Sequence, residues 1–222
     1  MMSTLVDLTG TISNGMWHYP RPFVPPQIEH KQVTAKWGPN KAFYIEEIHM
    51  NTLTGTYFET PAHLFPEQVT VDNWPVQNLI RTAKVLKIPK ADGEAITLQE
   101  TRMELARQDE TVASGDSVLF GTGWDVAWKD SERFVKESPY FDKELVDWLL
   151  SKGISFLAAD IPSFDNINAP QGFMHRLLQQ GVIIAAPLIN VTAIPVASVT
   201  LYVFPLKIKG ACASPCRVVC EY

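Results

Sequence analysis

The sequence has no run of basic residues, and nowhere are its lysines and arginines interleaved with aromatics. Acidic side chains outnumber basic ones, 24 Asp and Glu against 19 Lys and Arg, giving a net charge of −5. A surface of that sign repels phosphates, which argues against nucleic acid as a partner. No apolar run approaches the roughly 20 residues that cross a bilayer, and the Val182 to Val191 stretch is short and broken by Pro187. The opening residues, Met1-Met2-Ser3-Thr4-Leu5-Val6-Asp7, lack a basic start and reach an acid at once, so no secretory leader is expected. Cysteine is scarce. The three present, Cys212, Cys216 and Cys220, form an odd set that favours reduced thiols and a cytoplasmic location. Their C-x3-C-x3-C spacing is not a zinc pattern; on a strand, even spacing would put all three on one buried face. There is no Gly-x-Ser-x-Gly elbow, P-loop or Gly-x-Gly-x-x-Gly, and Gly121-Thr122-Gly123 reads as a tight turn.

What is there is a chain of 222 residues, 46% hydrophobic, with no repeat and no dividing linker. That is enough for one domain, residues 1–222, with a large core. Runs rich in β-branched and aromatic residues predict strands at Leu5–Leu8, Ala42–Ile48, Ala83–Ile88, Ser117–Phe120, Ile154–Ala158, Val182–Ala185, Thr200–Leu206 and Cys216–Cys220. Helical spacing predicts Thr97 to Gln108, with Thr97 as cap, Glu100 three residues on, and Leu98, Thr101, Leu105 and Ala106 on one face. Further helices are expected from Glu144 to Ser151, stopped by Gly153, and from His175 to Gln180, stopped by Gly181. Strand–helix–strand order in the second half implies parallel pairing there. Pro22, Pro25 and Pro26 make Pro20–Pro26 a stiff loop able to cap a site.

One segment carries most of the functional information: Thr54-Gly55-Thr56-Tyr57-Phe58-Glu59-Thr60-Pro61-Ala62-His63. With it go Asp7-Leu8-Thr9, Gly15 to Pro20, Phe120 to Trp124, Ala159 to Asp165, His175 to Leu178, Leu188 to Val191, and Pro205 to Arg217. In that order they resemble nearly the whole length of the cyclase family, which includes the bacterial kynurenine formamidases and is marked by His-x-Gly-Thr-His-x-Asp-x-Pro-x-His. Gly55, Thr56, Pro61 and His63 fit that signature; its two first histidines and its Asp are here Leu53, Tyr57 and Glu59. The resemblance implies an α/β chain of the swivelling β/β/α type, usually a homodimer or homotetramer. It implies an arylformamidase-like hydrolase or cyclase acting on a small amide or lactam.

In the family the signature residues and a later His and Glu hold a divalent metal, whose bound water attacks the carbonyl. Carried over, Glu59 and His175 remain as metal ligands for zinc or manganese, while Leu53 and Ala186 stand where ligands are expected. Two ligands hold a metal weakly or not at all. His63 is then the candidate acid/base, with Glu59 four residues earlier meeting it across a helical turn and raising its basicity. Trp17, His18, Tyr57 and Asp160 are the candidate substrate-binding residues; for Asp160, and for Asp165 near it, turn capping competes. His30 reads as solvent-facing, His49 as lying on the strand leading into the site, and of Glu46 and Glu47 at most one points inward. The competing function is a small-ligand-binding protein that has lost catalysis.

Overall fold

The structure, a computed structural model, describes residues 3–34 and 42–222; Met1 and Met2, read above for a leader, lie outside them. The first strands are β1 (Leu5–Asp7), β2 (Gln27–Thr34), β3 (Ala42–His49) and β4 (Tyr57–Glu59). Then come β5 (Ile80–Lys87), β6 (Ala95–Ile96), α1 (Leu98–Arg107) and β7 (Ser117–Gly121). The next group is α2 (Arg133–Lys136), β8 (Tyr140–Phe141), α3 (Lys143–Lys152) and β9 (Phe156–Ala159). The chain ends with α4 (Phe173–Gln179), β10 (Ile183–Ala186), β11 (Ser198–Pro205) and β12 (Ala213–Glu221).

The main sheet runs β1-β12-β11-β5-β7-β9-β10-β4, and β4 also pairs β12, so all but β1 close into a barrel-like ring. β5, β7, β9 and β10 are mutually parallel where they adjoin, as the strand–helix–strand order requires. The remaining pairings of this sheet are antiparallel. Alternation along each strand sorts side chains to two cores. Leu119, Phe156, Ala158, Ile183 and Ala185 join Leu201, Val203, Val218 and Phe58 in one cluster, on the ring's inner face. Val118, Phe120, Leu157, Ala159 and Ile184 turn the other way, against α3, α4 and the loop aromatics. Strands buried on both faces read as continuous apolar runs, which is why the sequence displays them so clearly.

Helix ends follow their sequence signals. Thr97 and Glu100 form a reciprocal capping box at α1, and Gly153 ends α3 at φ 67°. On α1, Thr101 and Leu105 are buried, but Ala106, expected on the same face, is exposed. Cys216 and Cys220 share the buried face of β12 as expected; Cys212 lies ahead of the strand and is only half-buried. β2 and β3 pair with each other alone, forming an arm outside the main sheet. His30 is exposed there beside Glu46, as read; Glu46, Glu47 and His49 are all exposed, so neither acid points inward and His49 leads into no site.

Phe58 is fully buried at the point where β4 closes the ring. Phe58→Ala should lower unfolding stability by about 3–5 kcal/mol, read as a shift of the urea midpoint at unchanged slope.

Candidate active site

β4 is short, but every residue in it has an assigned side. Phe58 enters the barrel core, so Tyr57 and Glu59 must emerge on the opposite face. Ala186 stands opposite Tyr57 on β10, and Ala213 opposite Glu59 on β12. The approach to β4 is built by the two signature residues before it. Gly55 has φ 67°, and a Cβ there would come within 2.8 Å of Ile12. Thr56 Oγ1 donates to the Pro187 carbonyl at 2.6 Å and accepts from Gly10 N–H at 3.0 Å, tying three distant segments together. After β4, Thr60 N–H and Thr60 Oγ1 both donate to the Cys212 carbonyl, at 2.9 and 3.0 Å. Pro61 then opens a single 3-10 turn that ends on His63. The two catalytic candidates thus meet across a strand end and a 3-10 turn, not the expected α-helical turn.

The result is a cavity of about 150 Å³ lined by Tyr57, Glu59 and His63 on one side and Tyr19 and Phe23 on the other, with Leu53, Pro162, Ser163 and Met174 completing it. Tyr19 Oη donates to the Pro162 carbonyl at 2.6 Å and lies 2.9 Å from Tyr57 Oη. Because Tyr19 has one proton, Tyr57 is the donor between the two hydroxyls. A broader groove of about 760 Å³, lined among others by Asn14, Asp125, Trp128 and Asn190, holds no His, Cys or Glu.

The electrostatics reverse part of the sequence reading. Glu59 is 2% exposed, and its Oε2 has no hydrogen-bond partner among the described residues. Desolvation pushes its carboxyl up to about 8, so it is a neutral acid at neutral pH. His63 Nδ1 lies 3.6 Å from Glu59 Oε1, and burial moves its pKa below the usual 6.5. The pair is therefore an uncharged acid beside an uncharged imidazole; Glu59 does not raise the basicity of His63. Tyr57 is shifted well upward, first by burial and then by Tyr19 and Glu59, and is no phenolate.

Other candidates sit elsewhere. Trp17 is buried against Trp128 and Phe134 and buttresses Tyr19 at 5.5 Å without lining the cavity. His18 is exposed, its Nδ1 2.8 Å from the Tyr19 carbonyl. Asp160 is fully buried and accepts from Thr122 N–H, Thr122 Oγ1 and Gly123 N–H at 2.7 to 2.9 Å. It braces the 121–123 turn rather than a substrate, and burial raises its pKa to about 6 despite those donors. Asp165 likewise holds the entry to α4 through Gln171 N–H and Phe173 N–H. Tyr19 was read with Trp17 and His18 as a candidate pocket aromatic, and it is the one of the three that lines the cavity; Phe23, Met174 and, beside His63, Cys212 are residues the sequence reading did not place at the site. The proline loop was the available signal for Phe23; for Cys212, 149 residues from His63, there was none.

A family-type metal centre does not fit these residues. Leu53 and Ala186 bring carbon where ligands belong, and the Tyr57 hydroxyl is engaged with Tyr19. His175 is exposed and lies edge-on to Phe65, outside the cavity. Among the described residues no group of three or more His, Cys, Asp or Glu side chains is arranged to hold a metal ion. Among the same residues, no helix is long and apolar enough to cross a membrane.

The chain belongs to the cyclase family, whose model matches residues 6–166. A kynurenine formamidase of Geobacillus thermodenitrificans is 26% identical over 174 residues, 78% of each chain. An isatin hydrolase bound to the product analogue thioisatinate superposes with TM-score 0.84 at 23% identity, covering 99% of this chain and 92% of its own. A structure described as a predicted metal-dependent hydrolase from Bacillus stearothermophilus gives 0.76 at 22%, covering 100% and 99%. The swivelling β/β/α fold is common to these structures.

Protein purified without added metal should carry far less than stoichiometric zinc or manganese after dialysis against a chelator, by elemental analysis. Glu59 makes a second prediction. Its native pKa of about 8 exceeds the usual 4.5, so between those values the native state holds a proton that the unfolded chain has released. Stability from this group is therefore full below pH 4.5 and declines as pH rises toward 8, at about 1.4 kcal/mol per unit. Glu59→Gln should flatten that decline, and urea midpoints at pH 5 and pH 8 compare the two proteins directly.

Proposed function

We propose that the protein hydrolyses a small aromatic amide or lactam without a metal, with His63 as general base and neutral Glu59 as hydrogen-bond donor. The observation that carries this reading is the buried carboxyl of Glu59, with one oxygen unpartnered, beside a neutral imidazole in a small cavity walled by aromatic side chains. In the metal enzymes of this fold the cation polarises the carbonyl. Here a protonated carboxyl aimed at the carbonyl oxygen supplies a weaker form of the same stabilisation, since a neutral acid in an apolar pocket donates well. His63 takes the proton of the attacking group and returns it to the leaving nitrogen. Tyr19, Phe23 and Tyr57 form the walls for a flat ring. The kynurenine formamidase and isatin hydrolase names support a substrate in which the scissile amide nitrogen is attached to an aromatic ring.

The homodimer or homotetramer implied by the family is part of the same proposal. The exposed apolar side chains of the β2–β3 arm, Tyr44, Ile45 and Ile48, support it, and sedimentation velocity measures it.

A panel of aryl formamides, aromatic lactams and lactones, assayed with chelator present, tests the function. His63→Ala should lower turnover by about 10²–10⁴-fold with the circular dichroism spectrum unchanged. Activity should rise with pH through a value below 6.5, as His63 loses its proton, and change again near pH 8, where Glu59 ionises. Saturable binding of panel compounds with no turnover would replace this reading with that of a ligand-binding protein.

A further inference from the structure

Beside the base lies a sulfur that the family signature does not contain. Cys212 sits between β11 and β12, outside the span matched by the family model. Its Sγ is 3.6 Å from His63 Nδ1, hydrogen-bonding range for a thiol. Its main chain is immobilised, because the Cys212 carbonyl accepts both donors of Thr60, three residues before His63. The thiol is free and half-buried, whereas Cys216 and Cys220 are packed away in the barrel wall. A second feature points to a ligand here. Glu59 lines the cavity and is almost wholly buried, and its Oε2 has no hydrogen-bond partner among the described residues. That oxygen is buried in the cavity wall next to the imidazole that contacts the thiol, and Cys212 itself packs against the cluster of Leu53, Tyr57 and Ala213, the first two of which line the cavity.

We propose that Cys212 is a nucleophile, attacking the acyl carbon of the substrate while His63 Nδ1 takes its proton. This inference rests on the hydrolase reading above and names its attacking group. As the S–C bond forms, the carbonyl electrons move to oxygen and are held by the Glu59 O–H. The carbonyl re-forms as the C–N bond breaks, and the leaving nitrogen takes the proton from His63. Water then attacks the thioester and gives a proton to His63, which returns it to the departing sulfur. The acid is released with the thiol and imidazole restored. Burial disfavours the thiolate, so the thiol needs a base at the moment of attack. The uncharged imidazole in contact with it is that base.

p-Nitrophenyl acetate and an aryl formamide, with rapid mixing and intact-mass analysis, test this directly. The expected result is a burst of about one p-nitrophenol per chain and an acetyl group mapped to Cys212. Cys212→Ala should abolish both and lower turnover at least about a hundredfold. Iodoacetamide gives a readout independent of any substrate. Cys212 should alkylate faster than Cys216 and Cys220, and His63→Gln should slow it about tenfold. Full turnover by Cys212→Ala together with a dead His63→Ala would overturn the nucleophile while leaving His63 as a base acting on water. Full turnover in both variants would overturn the hydrolase reading of the site itself. Absence of an acyl adduct, with alkylation of Cys212 indifferent to His63, would overturn the nucleophile whatever the turnover.

Discussion

Glu59 is held out of water by a strand that has no freedom to turn it elsewhere. β4 is bonded on both edges, to β10 and to β12, and Phe58 fixes which way its neighbours face. A carboxyl placed there cannot relax toward solvent, and without a set of hydrogen-bond donors it keeps its proton. The rest of the site follows from that. A proton on Glu59 removes the negative charge that would have stabilised imidazolium, so His63 stays neutral, and Tyr57 stays a hydroxyl because burial outweighs every other influence on it.

With Glu59 and His63 both uncharged, the cavity favours groups that share protons without separating charge. Asp160 is a contrast within the same chain. It is equally buried, yet its donors at Thr122 and Gly123 satisfy both oxygens and limit the upward shift to about 6. The two carboxyls differ in whether the surrounding backbone offers them N–H groups.

β7, β9 and β10 were legible because both faces of each are buried and their apolar runs are nearly unbroken. β4 was not, because three residues between Gly55 and Pro61 are too few to show a period, and β4 is defined by partners more than a hundred positions away. β2 hid behind the proline loop in a polar pattern, since neither of its faces meets a core. His63 and Glu59 were readable as a pair from their spacing, but not their protonation, which is set by burial. Trp17 and His18 were assigned to the pocket because aromatics in a covering loop look alike in sequence; packing sends Trp17 inward, His18 outward and Tyr19 into the cavity. His175 was placed by the family motif, and one turn of α4 carries it to the surface.

The contact between Tyr19 and Pro162 sets the outline of the cavity. The cavity is about 150 Å³, below the 300–1,000 Å³ of a usual small-molecule site. Any widening on that side would break the bonds of Tyr19 to the Pro162 carbonyl and to the Tyr57 hydroxyl. Those two bonds tie the N-terminal loop to β4 and to the segment after β9, so the shape of the cavity is a joint property of three stretches of chain far apart in sequence.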